Sequence, residues 1–406
     1  MSVLESSTLP RARALLRRTP LVDGHNDLPW AMREQGNYDL DRIDLTGRVA
    51  TTHTDLMRLT EGGVGAQFWS VFVPSKLPGD RALATTLEQV DFVRRLVQRY
   101  PERLELVVEP DGVERAFAAG RLASLMGAEG GHSIACSMAA LRMLFALGVR
   151  YLTLTHNDNV PWADSATDEP RAGGLTPFGR EVVREMNRLG MLVDLSHVSA
   201  DTMRDALNVT EAPVIFSHSS CRALVDHPRN VPDDVLRRLP ANGGVVMLTF
   251  VPGFVSVPCC AFDMEVAAEC RRRGLDPKDW RTHQRVAREW AQDHPRPVAT
   301  LAQVVDHIEH ARAVAGSDHI GIGGDFDGVD VLPRGLEDVS RYPALFAELL
   351  DRGWSEAECE QLAGRNVLRA WREAASIAAR LSRERPASLA QVDELDGVDH
   401  SSDRCC

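Results

Sequence analysis

The chain has 406 residues, 44% of them hydrophobic and 26% charged, which is enough apolar material for a sizeable packed core. Its 46 Lys and Arg against 58 Asp and Glu leave a formal charge of −12, and no basic run stands out beyond residues 11–18, which argues against nucleic acid or an anionic membrane as the main partner. No stretch reaches the roughly 18 apolar residues of a membrane span, and the N-terminus lacks the apolar run of a signal peptide. The expectation is a cytoplasmic protein without a membrane anchor.

In chain order, residues 1–20 read as a helix or arm and residues 21–24 as the first strand, which delivers His25 and Asp27. A polar stretch runs to about residue 54, followed by a helix over 54–61 and a second buried strand over 64–74. Leu83, Leu87, Val90, Val93 and Val97 recur at helical spacing and predict a helix over 81–99, which Tyr100-Pro101 stops. Residues 104–108 are an extra strand candidate. The run 122–127 leads into a glycine-rich turn presenting Glu129, and a helix over 137–147 closes with Gly148.

Further strands over 149–155, 191–195 and 213–216 deliver His156, His197 and His218 respectively. Between the first two lie a long polar loop, 157–174, and a helix that Thr176-Pro177 opens. The run 244–250 has no ligand at its end. Residues 251–300 are an irregular insertion with helices near 261–273 and 281–293. The last strand, 320–324, delivers Asp325. Helices over 342–352 and 355–371 finish the fold, the latter starting with the capping box Ser355…Glu358.

Eight apolar runs alternating with helices predict an α/β protein built as a closed parallel (β/α)8 barrel of the TIM type, with inserted loops and C-terminal helices. The expected organisation is one domain over 1–385 and a polar, flexible tail over 386–406. The cysteines at 136, 221, 259, 260, 270, 359, 405 and 406 form no C-x-x-C pair and predict buried or free thiols rather than a disulfide framework.

In such a barrel every strand ends on one rim, so residues just past the tips converge. Here they are His25, Asp27, Glu129, His156, His197, His218 and Asp325. A His/carboxylate set without cysteine suits zinc with open positions for water. A cluster this rich can hold two metals if Glu129 bridges them, with His25 and Asp27 on one and His197 and His218 on the other; a shared water would then become a hydroxide nucleophile near neutral pH. The His307-x-x-His310 spacing reads instead as a solvated helix face, and His53, His132, His227 and His319 as structural or exposed.

The motifs D-G-H-N-D-L at 23–28, G-A-E-G at 127–130, Y-L-T-L-T-H-N at 151–157, V-D-L-S-H-V-S at 193–199, I-F-S-H-S-S at 215–220, R-N-V-P-D-D at 229–234 and G-I-G-G-D-F-D-G at 321–328 resemble the renal (membrane) dipeptidase family, binuclear zinc dipeptidases of the amidohydrolase superfamily. The resemblance covers about residues 18–372. It implies a metallo-dependent hydrolase barrel, two zinc ions per chain on the five ligands above, and a homodimer. It also implies that His156 binds the scissile carbonyl or its oxyanion, that Arg229 binds substrate and that Asp325 handles the proton. The implied activity is hydrolysis of dipeptides, including those with a C-terminal D-residue, by attack of a metal-bridging hydroxide. An amidohydrolase acting on N-acyl amino acids or another small amide is the alternative. Without a C-terminal hydrophobic tail or a cysteine in the loop after His156, lipid anchoring and disulfide-linked dimerisation are not carried over.

Overall fold

The computed structural model describes residues 7–397. Its strands are β1 (Leu21–Asn26), β2 (Val64–Phe72), β3 (Leu104–Leu106), β4 (Leu122–Glu129), β5 (Val149–Thr153), β6 (Leu192–Asp194), β7 (Val214–Ser219), β8 (Val245–Leu248) and β9 (Ile320–Ile322). All pairings between them are parallel, and the ring closes through β1–β2, β2–β4 and β9–β1. Eight strands thus form the expected barrel. The extra candidate at 104–108 is real but outside the ring: β3 pairs with Leu122–Ser124, on the edge of β4 that β5 reaches only from Met126 onward.

The side-chain alternation of these strands separates two cores. Val22, Phe68, Leu125, Ile215 and Met247 point into the barrel and share a cluster with Val367, Leu368 and Trp371 of helix Asn366–Glu384, which stops one end of it. Alternate residues such as Leu21, Met126, Phe216 and Val246 face the surrounding helices. A strand buried on both sides has no polar face to show, which is why each reads as a near-continuous apolar run.

Helix ends follow local chemistry. Ser137, Thr176, Ser199 and Thr300 cap helices through their hydroxyls, and the Ser355–Glu358 capping box forms as expected. Three features differ from the sequence expectation. Helix Leu28–Gly36 occupies part of the stretch read as polar loop, starting with Pro29 in its first turn. His307 is buried rather than solvated and accepts the Cys221 N–H on Nδ1 at 3.1 Å. Cys136 is disulfide-bonded, whereas Cys221, Cys259, Cys260, Cys270 and Cys359 are free and buried; Cys405 and Cys406 lie outside the described residues.

Residues 386–397, at the start of the expected tail, lie against helix Pro177–Leu189. The Asp396 carboxylate accepts the Phe178 N–H at 2.9 Å and the Thr176 hydroxyl at 2.6 Å, and the Ser388 N–H donates to Glu185 at 3.2 Å. The rest of the expected tail lies outside the described residues. No helix among the described residues is long and apolar enough to cross a membrane.

Candidate metal centre and active site

Regular alternation would point His25 and His218 away from the barrel axis, because Val22 and Ile215 point inward and each histidine is an odd number of residues further on. The parallel register breaks at both places, between Asp23 and Asn26 in β1 and between Phe216 and Ser219 in β7. Such breaks re-aim side chains beside active sites. The tip of β9 is tied to β1 as well: the Asp325 N–H donates to the His25 carbonyl at 3.2 Å and the Asp27 N–H to the Phe326 carbonyl at 2.9 Å. His197 and Asp325 hold left-handed backbone, at φ 67° and 60°, a conformation non-glycine residues keep where the surroundings over-determine it, often at functional sites.

The result is a buried cluster around Glu129, the last residue of β4. His25 Nε2 lies 3.5 Å from Glu129 Oε2, 3.2 Å from Asp27 Oδ2 and 4.0 Å from Asp325 Oδ1. The other carboxylate oxygen, Oε1, lies 3.0 Å from His197 Nε2, 3.5 Å from His218 Nε2 and 3.9 Å from His156 Nε2. His197 Nε2 and His218 Nε2 are themselves 3.0 Å apart. All seven tip residues expected from the sequence are therefore brought together, one oxygen of Glu129 facing each half.

Second partners fix which nitrogen each imidazole offers. The Tyr151 hydroxyl donates to the Gly24 carbonyl at 3.2 Å, so its oxygen is left to accept from His25 Nδ1, 3.0 Å away. Ser217 Oγ donates to Asp194 at 2.6 Å and accepts from His218 Nδ1 at 2.8 Å. Nδ1 of both histidines is thereby engaged and Nε2 is turned to the cluster, the nitrogen that a metal would take. Asp194 and Asp23 have parallel duties at their strand ends. Each carboxylate holds the backbone two residues on, Ser196 N–H at 3.1 Å and His25 N–H at 3.1 Å, and Asp23 also accepts the Tyr342 hydroxyl.

The electrostatics agree. Burial lowers the pKa of His197 and His218, with neighbouring cations adding to it, and lowers that of His156 to about 4, so all three are neutral imidazoles at pH 7. His25 is opposite: burial is the largest influence and acts downward, yet Tyr151, Glu129 and Asp27 together carry its pKa well above the usual histidine range. Burial pushes the Asp325 carboxyl well up. Neutral imidazoles converging with carboxylates, in a pocket that favours a positive charge, fit a metal ion as donor set and as charge. The groups His25/Glu129/His218, Glu129/His156/His197 and His25/Asp27/Asp325 each have ligand atoms within 4.8 Å of one another.

Arg229 is buried beside this cluster. Its Nη2 donates to the His218 carbonyl at 3.2 Å and its Nη1 to Ser219 Oγ at 3.3 Å, with Phe254 packed under the guanidinium at 5.3 Å. Among the described residues no carboxylate pairs with it, and burial lowers its pKa to about 10. Sequence inspection did not single out Tyr151, Ser217, Asp194, Asp23 or Ser70, whose hydroxyl donates to Glu129 Oε2 at 3.1 Å. The one signal available was the pair of aspartates, each placed two or three residues before a histidine of the cluster.

A closed parallel barrel with a His/carboxylate cluster on the rim where the strands end defines the class of barrel metallohydrolases. A sequence profile of the membrane dipeptidase family, peptidase family M19, matches residues 9–385, and the chain belongs to that family of metallo-dipeptidases. The family resemblance carried by the motifs is thereby confirmed. Among solved structures, the chain is similar to the probable dipeptidase PvdM of Pseudomonas aeruginosa, at 26% identity and a TM-score of 0.80 over 91% of this chain and 99% of that one. It is similar to a metallopeptidase described as dipeptidase AC of family M19, at 25% identity and a TM-score of 0.72 over 88% and 99%. A Rhodobacter sphaeroides metallopeptidase liganded with a phosphinate mimic of L-Ala-D-Ala shares the fold, at 24% identity and a TM-score of 0.73 over 88% and 99%.

Proposed function

We propose that the protein is a binuclear zinc dipeptidase that hydrolyses dipeptides, including those with a C-terminal D-residue. Glu129 would be shared by the two metals, with His25 and Asp27 holding one and His197 and His218 the other. An all nitrogen-and-oxygen donor set without cysteine supports zinc, and the opposed duties of the two Glu129 oxygens support two ions. Bound there, zinc would acidify water toward neutral pKa and polarise a carbonyl.

The chain's own groups do the rest. His156, neutral and set against Glu129, donates toward the negative charge that develops on the carbonyl oxygen. Asp325 stands at the His25 end, where its carboxylate takes the proton of the attacking water and returns it to the leaving amine. Arg229 receives the free carboxylate of the dipeptide on its guanidinium fork. The observation that carries the dipeptide reading is this last residue: a buried guanidinium lacking a carboxylate partner among the described residues, at the edge of the cluster. The D-residue enters from the family resemblance, and the ligand of the Rhodobacter sphaeroides protein supports its place in the test panel.

Kinetics of Arg229→Ala on a dipeptide and on its C-terminal amide test the assignment. Loss of a buried charged partner predicts a fall in kcat/KM of roughly 30-fold or more on the free acid, about 2 kcal/mol, with little change on the amide. Equal losses on both substrates contradict it.

A further inference from the structure

Residues 252–298, inserted between β8 and the helix before β9, pack around an apolar cluster of their own. Phe262, Val266, Cys270, Val286 and Ala287 form it, apart from the two cores of the barrel. What joins this unit to the rim is charge. Lys278 Nζ donates to Asp158 and to Asp168, both at 2.7 Å, and so holds two points of the loop that follows β5 and His156. Arg281 bonds Glu34 at 2.5 Å, in the helix after β1, and Arg288 lies 3.3 Å from Asp330, in the loop after β9. Asp276 pairs with Lys76, after β2.

The strand order converts these pairs into a position. Around the ring the sequence is β1, β2, β4, β5, β6, β7, β8, β9, so β5 and β9 stand opposite one another. A segment bonded to the loops of both passes over the opening between them. Exposure ranks the latches: the Arg288 and Arg281 side chains are 74% and 68% exposed, where ion pairs contribute little, whereas Lys278 is 27% exposed and its partners 21% and 17%. Asp158 also accepts the Ser75 hydroxyl at 2.6 Å, three residues past Phe72, whose ring lies 4.9 Å from that of His156.

We propose that residues 252–298 form a cap latched across the mouth of the barrel and that Lys278, holding it to the His156 loop, is a positioning residue that restricts substrates to dipeptide length. The length limit rests on the dipeptidase function proposed above; the latch does not. The pKa values of Asp158 and Asp168 are lowered and that of Lys278 is raised, burial being outweighed in each case by the shared bonds.

The test compares the full-length wild type with Lys278→Met and Lys278→Arg. Hydrogen–deuterium exchange reads the latch without substrate: the Met variant exchanges at least several-fold faster over residues 157–170 and 276–290, and the Arg variant does not. Kinetics on L-Ala-L-Ala and tri-L-alanine read the length limit: the Met variant raises the dipeptide KM several-fold at a kcat within about twofold and cleaves the tripeptide, which wild type and Arg variant reject. Unchanged exchange overturns the latch. Faster exchange with continued rejection of the tripeptide overturns the length limit, as does a parallel loss of kcat in the Met variant. A wild type inactive on every dipeptide overturns the dipeptidase proposal instead, and the exchange comparison still decides the latch.

Discussion

Which nitrogen of His25 faces the cluster is decided by a hydroxyl several strands away. Tyr151 reaches His25 because Gly127 leaves it room: a Cβ on Gly127 would sit 1.9 Å from the tyrosine ring. The Tyr151→Phe variant keeps the packing and removes only the oxygen that accepts from Nδ1. We expect metal affinity to fall by 10- to 100-fold, the usual cost of losing an outer partner of a metal-bound histidine, with the unfolding midpoint nearly unchanged. Competition with a chelator of known affinity measures it, and unaltered affinity would show that the tautomer is set elsewhere. The residues of the cluster were legible in the sequence because a polar residue ending an apolar run stands out. Tyr151 was not, since inside Y-L-T-L-T a tyrosine looks like any other core residue.

Single strands and helices carry the next layer. The i, i+2 alternation of β1 and β7 explains why the strands could be found but puts His25 and His218 on the wrong side, and only the register breaks correct it. Sequence periodicity cannot show a break of one residue at a strand tip. Helix Leu28–Gly36 escaped notice for a related reason, its short length and mixed face resembling a polar loop. Helix Pro177–Leu189 was legible, but its partner was not: Glu185 accepts from Arg188, Arg142 and the Ser388 N–H, which seats residues 386–397.

This docking has a pH dependence of definite sign. The Glu185 pKa is lowered, since burial, which raises it, is outweighed by Arg188, the Ser388 N–H and Arg142. A depressed carboxylate contributes its stability fully above the unfolded value of roughly 4.3 and loses it as pH falls through the folded value. The Glu185→Gln variant should be less stable by about 1–3 kcal/mol at pH 7. Urea midpoints should converge with those of the wild type toward pH 3. A gap that stays constant across that range would show that Glu185 acts through packing rather than charge.

For the whole molecule, the barrel gathers residues from 25 to 325 in sequence onto one rim, and the parallel strand order is what makes tip position informative. Fold and cluster were legible together because the βα rhythm and the strand-tip residues obey the same geometry. The cap over the mouth was not: residues 251–300 showed two helices in an irregular insertion but nothing of where they sit, and the ion pairs that place them join loops that are neighbours in space alone. Such contacts leave no period in a sequence.

Glu129 and the four residues flanking it are proposed to hold two zinc ions on which dipeptide cleavage depends. The most direct measurement is metal content by mass spectrometry alongside amine release from L,L- and L,D-dipeptides, on the protein as purified, after chelation and after zinc is restored. About two zinc ions per chain are expected, with cleavage lost with the metal and regained with it. Activity that survives complete removal of metal would contradict the proposal, as would a full complement of zinc with no dipeptide cleaved.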